Sequence, residues 1–292
     1  MTTMRSALRE AIEQLTAAQV PSASLAAELL LLHVLERDRT FLHAHPEAEL
    51  SHDQERAYRH LLGCRAEGTP TQYLTGRQEF WGLPFKVERG VFIPRPETEH
   101  VVEVTLATVR ERLRKPAARI VDVGTGTGCI ALALASELPQ AELFATEISD
   151  EALALARANA DALGLSSRVQ FLHSDLLDVF LTGHRSPATG HLDLVVSNPP
   201  YLSPDEAAHL PREVREHEPA AALFSPDEGL AITRRLIEQA AQLLVPGGHL
   251  VLELGYQMSG RVKSLLGDGW ANVEVTPDLR GIPRVLAAQR AA

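Results

Sequence analysis

The sequence predicts an α/β fold: a mostly parallel β-sheet interleaved with helices, preceded by a small N-terminal helical bundle and a linking β-hairpin. Three observations point there. Residues 1–76 carry apolar side chains at helical spacing, and residues 78–87 gather aromatic and β-favouring residues around a glycine. From about residue 97 short apolar runs alternate with helical stretches, the pattern of βαβ units. A length of 292 residues fits one large domain and one small one. The expected division is a helical region over 1–76, a hairpin linker over 77–96 and an α/β domain over 97–292.

In the bundle, Leu8, Ile12 and Leu15 recur at i, i+4 and i+7. After Pro21-Ser22, Leu25, Leu29, Leu32 and Leu35 form a stripe that Leu30, Leu31 and Val34 widen into a helix apolar on much of its girth. Ser51-His52-Asp53-Gln54 offers a capped start for a third helix through Tyr58, Leu61 and Leu62. Gln78 to Val87 is expected to form the hairpin, and Glu97 to Leu113 a helix. Predicted strands follow at Arg119–Val123, Glu142–Thr146, Val169–His173, Leu192–Ser197 and His249–Leu254. Val273–Thr276 and Arg284–Ala288 are expected to add a hairpin-like, antiparallel edge. Leu181 to Gly190 reads as a polar surface loop, and there is no internal repeat.

Composition excludes several classes of function. A mean hydropathy of -0.06 is that of an ordinary globule, and no apolar run approaches the roughly 20 residues a membrane span needs. Met1 to Ser6 runs straight into a charged amphipathic pattern without the apolar stretch of a secretory leader, so a cytoplasmic location is expected. Cys64 and Cys129 are too few for a disulfide framework or a paired-cysteine metal site. His43-Ala44-His45 lacks further ligands and is expected in a solvated loop. A net charge of -10 disfavours broad attraction to phosphate backbones. A monomer without metal, membrane or direct nucleic-acid partner is the expectation.

The first candidate site is Gly124-Thr125-Gly126-Thr127-Gly128, between the apolar strand Ile120–Val123 and the helical run beginning at Cys129. Glycine permits positive φ and close approach of a ligand to the backbone, although a strand-to-helix turn uses glycine for chain reversal as well. Glu147 ends the next strand 19 residues after Gly128, which suits a carboxylate that accepts from ribose hydroxyls. It could instead cap the following helix, for which Ser149 and Asp150 are better placed. The spacing is not GxGxxG and no Walker lysine is present.

The second candidate is Asn198-Pro199-Pro200-Tyr201, at the end of the predicted fourth strand, where an open parallel sheet places its ligand crevice. A rigid turn would explain the prolines structurally. The chemical reading explains the whole tetrapeptide. A planar amide or amino nitrogen has a delocalised lone pair, and acceptors aimed at its two N–H groups would align that pair with an electrophilic methyl. The Asn198 side-chain carbonyl and the Pro199 backbone carbonyl can be those acceptors, the prolines keep them aimed, and Tyr201 offers a flat wall.

Asp-x-Gly-x-Gly-x-Gly resembles the first motif of class I (Rossmann-like) S-adenosylmethionine-dependent methyltransferases, and Asn-Pro-Pro-Tyr resembles their site for planar nitrogens. The resemblance implies the cofactor S-adenosylmethionine, with S-adenosylhomocysteine as product. The glycine loop would take its methionine end and Glu147 its ribose. Asp175 would accept from the adenine amino group, or merely cap a helix, while Leu176 packs on the adenine face. Asn198 belongs to both cofactor and acceptor sites. The planar nitrogen could be adenine or glutamine, and duplex adenine enzymes need base flipping and a basic recognition region that this mixed-charge bundle lacks.

Val91-Phe92-Ile93-Pro94-Arg95-Pro96-Glu97-Thr98-Glu99 is more specific. It resembles a segment of the PrmC/HemK family, N5-glutamine methyltransferases of peptide chain release factors. Thr69–Gly76, Glu79–Gly82, Glu213–Arg215, Glu218-Pro219, Leu252–Gly255 and Asp278–Gly281 extend the resemblance over nearly the whole chain. It implies as substrate the glutamine of the Gly-Gly-Gln motif of class I release factors, bound with help from the helical domain. Arg95 and Glu97 would order the loop over the crevice or simply staple the hairpin. Leu176 stands where one branch of the family has Trp, and Phe224–Gly229 departs from a Gly-Gly pattern. Competing readings are a ribosomal-protein glutamine methyltransferase, an adenine methyltransferase and a non-catalytic cofactor-binding protein. The stretch Pro204 to Glu218 is expected to be a solvated helix or a lid.

Overall fold

The computed structural model describes residues 2–182 and 191–291; most of the expected loop Leu181 to Gly190 lies outside the described residues. The chain forms two compact units. One comprises residues up to Arg77 together with Leu210–His217, and the other Gln78–His209 with Glu218 onward.

The first unit contains α1 (Met4–Ala17), α2 (Ala23–Leu35), α3 (Arg39–Ala44), α4 (His52–Ala66), α5 (Thr71–Thr75) and a short helix at Arg212–His217. Its helix starts are set locally. Thr3 and Asp38 accept from Ser6 N and Phe41 N, and Ser51 with Gln54 forms a reciprocal capping box. Met4, Ala11, Leu15, Ala27, Leu30, Leu31, Tyr58 and Leu62 make the core, and the buried Tyr58 hydroxyl donates to Ala27 O at 2.9 Å. Of the broad apolar face expected on α2, Leu30, Leu31 and Leu35 are buried and Leu32 and Val34 pack against the core, but Leu25 is 45% exposed and Ala26 and Ala27 are buried instead. A helix apolar all round has no sequence periodicity to orient it, and here the small alanines take the close contact. His43 sits on α3 rather than in a loop, and the His45 ring lies tilted against Phe41 with centroids 4.8 Å apart and 48° between the planes.

In the second unit, β1 (Arg77–Phe80) and β2 (Leu83–Lys86) form the hairpin. Its two loop residues, Trp81 and Gly82, both have positive φ, which matches the right-handed strand twist. Phe80 and Phe85 bury against the same core as α6 (Glu99–Ala107). The helix expected over Glu97–Leu113 is a short 3₁₀ turn at Pro96–Thr98, then α6, then a wider π turn at Thr108–Leu113. The remaining strands are β3 (Arg119–Val123), β4 (Glu142–Glu147), β5 (Val169–His173), β6 (Leu192–Ser197), β7 (Leu244–Glu253), β8 (Trp270–Pro277) and β9 (Pro283–Arg290). They form one sheet in the order β5-β4-β3-β6-β7-β9-β8. The first five run parallel, and β9 is antiparallel to both neighbours.

Both faces of the sheet are covered. Ile120, Leu194 and Val251 pack toward α6 and α7 (Cys129–Glu137), whereas Val121, Val195 and Leu250 pack toward Leu236 and Ile237 of the helix Ala231–Leu243. Double-sided burial is why these strands read as unbroken apolar runs. β7 starts five residues earlier than expected: Leu244 pairs with Leu192, and the register then shifts so that the next pair is His249 with Leu194. No helix among the described residues is long and apolar enough to cross a membrane.

Candidate active site

β3 and β6 are parallel neighbours with Val123 opposite Ser197, so the turns that follow them leave the sheet side by side. Ser197 Oγ donates to Val123 O at 2.7 Å and locks the two strand ends together.

Gly124, Gly126 and Gly128 all take positive φ, at 71°, 56° and 85°. A Cβ on Gly124 or Gly126 would meet nothing within 4 Å, whereas one on Gly128 would lie 3.1 Å from Leu132 Cδ1 and 3.3 Å from Ala156 Cβ. The first two glycines therefore leave open space over the loop, and the third lets α7 pack against α8 (Asp150–Ala162). Thr146 O accepts from both Gly124 N and Thr125 N. Beneath the loop, Asp122 Oδ2 accepts from Thr125 Oγ1 at 2.6 Å and Ala131 N at 3.2 Å, while its Oδ1 is buried without a partner. Burial raises the Asp122 carboxyl to about 7.

Glu147 lies beside the loop. Its Oε2 accepts from Gly126 N at 2.9 Å, and its Oε1 from Ile148 N and Ser149 N. Ser149 caps α8 by accepting from Ala152 N, so the carboxylate is not the cap. Ile148 next to it is 58% exposed, an apolar side chain that sequence reasoning missed because it follows a strand of similar residues. Asp175 pairs with Arg235 at 2.7 Å and does not cap a helix through its side chain; Ser174 Oγ accepts from Val179 N instead. Leu176 has a φ of 49° and packs against the core on one face of the sheet.

The Asn198 to Tyr201 turn is braced from several directions. Asn198 Nδ2 donates to Thr98 Oγ1 at 3.2 Å, and Tyr201 Oη makes a long contact of 3.5 Å with Glu253 Oε1. A Cβ on Gly229 would fall 2.1 Å from Tyr201 O, and one on Gly255 2.7 Å from Tyr201 Cδ2. Burial and the neighbouring Glu253 hold the Tyr201 phenol above its ordinary range, so it is a wall rather than a base. Arg95 pairs with the buried Glu218 and lies over the Phe92 ring, 5.0 Å from its centroid. Glu218 is thus less solvated than expected.

Two further positioning residues carried no legible signal. Asn159 of α8 accepts from Lys86 N at 2.8 Å and donates to Thr127 O at 2.9 Å, pinning β2 and the glycine loop together. Glu253 is buried at the end of β7. An isolated polar residue in a helix or apolar strand does not announce its partner.

The residues present fit an S-adenosylmethionine site. Open space stands over Gly124 and Gly126, a carboxylate and an exposed apolar side chain stand at the next strand end, and a polar turn lies alongside. Among the described residues no group of His, Cys, Asp and Glu could hold a metal ion.

Comparison with known proteins agrees with this architecture. Residues 6–76 match the family model described as PrmC N-terminal domain, and residues 84–213 the methyltransferase small domain. The chain is 42% identical over 288 residues to the release factor glutamine methyltransferase of Koribacter versatilis, covering 99% of both chains. It is 40% identical to the proteins of that name from Deinococcus radiodurans, over 99% of each chain, and from Escherichia coli, over 95% of each. Among solved structures, the hMettl16 catalytic domain in complex with a MAT2A 3'UTR hairpin aligns with a TM-score of 0.56 at 20% identity, covering 79% of this chain and 81% of that one. A methyltransferase from Pyrococcus furiosus aligns at 0.51 and 18%, covering 72% and 90%. These two show the shared fold alone.

Proposed function

The chain belongs to the release factor glutamine methyltransferase family, and from that premise we propose that it methylates the side-chain amide nitrogen, N5, of the glutamine in the Gly-Gly-Gln motif of class I peptide chain release factors. The methyl donor is S-adenosylmethionine, whose sulfonium supplies an electrophilic methyl group. The observation that carries the reading is the adjacency of the two turns: the glycine loop after β3 and Asn198-Pro-Pro-Tyr201 after β6 leave neighbouring, hydrogen-bonded strand ends.

Gly124 to Gly128 hold the donor, with Glu147 turning its carboxylate from the loop amides to the ribose hydroxyls and Ile148 lining the adenine side. Asp175 and Leu176 complete that side. Asn198 Oδ1 and Pro199 O accept the two N–H groups of the substrate amide, so that its nitrogen lone pair points at the methyl carbon. Transfer would form the new C–N bond as the donor's C–S bond broke with its electron pair left on sulfur. The nitrogen then releases a proton to solvent. No strong base is needed, since alkylation makes that proton acidic, and the residues supply alignment and charge stabilisation. The helical unit of residues 1–77 and 210–217 contributes to binding the release factor.

The test is transfer of labelled methyl to a purified class I release factor, with its motif Gln→Ala variant, ribosomal protein and DNA as rival acceptors. Label on the wild-type factor alone is expected. Label on ribosomal protein or DNA would reassign the substrate. Asn198→Ala is expected to retain S-adenosylmethionine affinity by calorimetry and to lose transfer by about 10²-fold or more; undiminished turnover would remove Asn198 from the mechanism.

A further inference from the structure

One exposed leucine on a protein surface needs no explanation, whereas several large apolar side chains gathered at one end of a sheet do. Among the described residues, the three most exposed large apolar side chains are Leu279 at 97%, Tyr256 at 66% and Ile148 at 58%. All three stand at the carboxyl ends of the parallel strands. Ile148 follows β4 and Tyr256 follows β7. Leu279 lies in the β8–β9 turn, and because β9 runs antiparallel to β7, with Val285 opposite Glu253, that turn emerges at the same end. Ile148 borders the S-adenosylmethionine side, and the transfer chemistry employs neither of the other two.

Both are tied to the acceptor turn. Gly255 lies so close to the Tyr201 ring that a Cβ there would fall 2.7 Å from Tyr201 Cδ2, and Tyr256 is the next residue along the chain. On the other side of Gly255, Leu254 N donates to Arg284 O at 2.7 Å. Arg284 Nε donates to Asp278 Oδ2 at 3.0 Å, and Asp278 builds the turn that carries Leu279. Its Oδ1 accepts from Arg280 N and Ile282 N, both at 2.9 Å, its N donates to Ile282 O at 2.8 Å, and its O accepts from Gly281 N at 2.9 Å. Gly281 supplies the positive φ, 79°, that the turn requires. Hydrogen bonds on every polar group of Asp278 thus fix a turn whose tip is a leucine in water. The fold itself gains nothing from that side chain, since it buries almost no apolar area.

We infer that Tyr256 and Leu279 form an apolar docking edge for the release factor, contacting the polypeptide on one side of the glutamine that enters the Asn198 turn. The inference rests on the proposed substrate for the partner's identity. A glutamine held at Asn198 belongs to a chain whose flanking residues leave the crevice across its rim. β9 lies two strands from β6, about 10 Å across the sheet, within reach of those flanking residues. A small acceptor confined to the crevice would leave both side chains in water. A nucleic-acid strand, held mainly by cations against its phosphates, would gain little from a leucine. A polypeptide offers apolar atoms to cover them, and a turn already fixed in place loses little freedom on contact.

The test is methyl transfer at saturating S-adenosylmethionine with the concentration of release factor varied. Leu279→Ser is expected to lower kcat/KM by about tenfold, through KM, the scale of one apolar side chain lost from an interface. Tyr256→Ser should act in the same direction, and Leu279→Met should keep most of the wild-type value. Asp268→Ser, at an exposed position just before β8 and so at the opposite end of the sheet, should keep all of it. Affinity for S-adenosylmethionine by calorimetry should match the wild type throughout. In the full chain, p-benzoylphenylalanine in place of Leu279 is expected to photocrosslink to the release factor, and in place of Asp268 it is not. Wild-type KM in Leu279→Ser, no crosslink from position 279, or a crosslink to a second copy of this chain instead of the release factor overturns the inference. Equal losses in Leu279→Met and Leu279→Ser overturn it as well, because the conformation of the turn and not its apolar tip would then be the cause. A wild type that methylates ribosomal protein in place of the release factor, with position 279 crosslinking to that protein, upholds the docking edge and refutes the substrate assignment.

Discussion

At the scale of single residues, the site uses burial to hold carboxyl groups close to neutrality. Asp122 lies beneath the glycine loop and Glu253 beneath the Asn198 turn, each raised by burial to about 7. A carboxyl whose folded pKa exceeds its unfolded value holds its proton longer in the fold. The stability it contributes is complete below the ordinary carboxylate range and is lost as pH rises through about 7. The unfolding free energy is therefore expected to fall between about pH 4 and 7. Asp122→Asn keeps an oxygen for Thr125 and Ala131 without an ionisable proton, and should flatten that slope in denaturant titrations across the range. An unchanged slope would mean that Asp122 ionises normally. The residues named from sequence were those whose types are conspicuous, such as glycines in a strand-to-helix turn or two prolines after an apolar run. Thr98, Asn159 and Glu253 escaped because their hydrogen-bond partners lie 32 to 100 positions away, and no local pattern encodes those partners.

At the scale of elements, the strands were the legible part. β3 and β6 begin and end where expected, since double-sided burial makes the apolar run itself the signal. Helix ends were legible where a capping side chain stood, as at Ser51, and on α2, where apolar residues covered much of the girth, the exposed Leu25 and the buried Ala26 and Ala27 were not. The segment Phe224–Gly229, which suggested nothing as sequence, has a clear structural part. Leu202 N donates to Leu223 O and Ser225 N to Leu202 O, tying this segment to the residue after Tyr201. Asp227, Glu228 and Gly229 then take three successive positive φ angles, a conformation that costs about 1–2 kcal/mol at each non-glycine residue. Ion pairs from Asp227 to Arg234 and from Glu228 to Arg261 accompany it. The turn brings Gly229 against the Tyr201 carbonyl, where a methyl group would collide. Gly229→Ala should displace the Asn198 to Tyr201 turn and lower kcat by at least about tenfold, in line with the sensitivity of rate to small misplacement. Gly260→Ala, at a helical position with open space around its Cβ, is the matched control. It should leave kcat unchanged and stability equal or slightly higher; equal losses in both variants would refute a specific role for the turn.

At the scale of the whole molecule, the order of the sheet was legible in its alternation of strands and helices, while the division of the chain was not fully so. Residues 210–217 belong to the helical unit although the sequence on either side belongs to the α/β unit, and a linear reading assigned the whole stretch from residue 97 to one domain. A long-range ion pair joins this segment to the helical unit. Arg65, 4% exposed, donates from Nη1 to Thr69 O at 3.2 Å and pairs through Nη2 with Glu213, a partner 148 positions away. Gly68 adds close contact with the Arg212 side chain, its Cβ position lying 3.2 Å from Arg212 Cδ. Removing one member of a buried ion pair typically costs about 3–5 kcal/mol, because the other is left uncompensated. Arg65→Ala is therefore expected to speed amide hydrogen exchange at residues 212–217 and to lower the melting temperature. The glycine loop and its strands belong to the other unit, with a core of their own, so S-adenosylmethionine affinity by calorimetry should be unchanged. If the helical unit binds the protein substrate, the loss should appear in kcat/KM for the release factor, mainly through KM. Unchanged exchange at 212–217 would show that the apolar core of the helical unit holds this segment without the ion pair. A fall in S-adenosylmethionine affinity of the same size as the fall in kcat/KM would show that the two units do not act separately in binding.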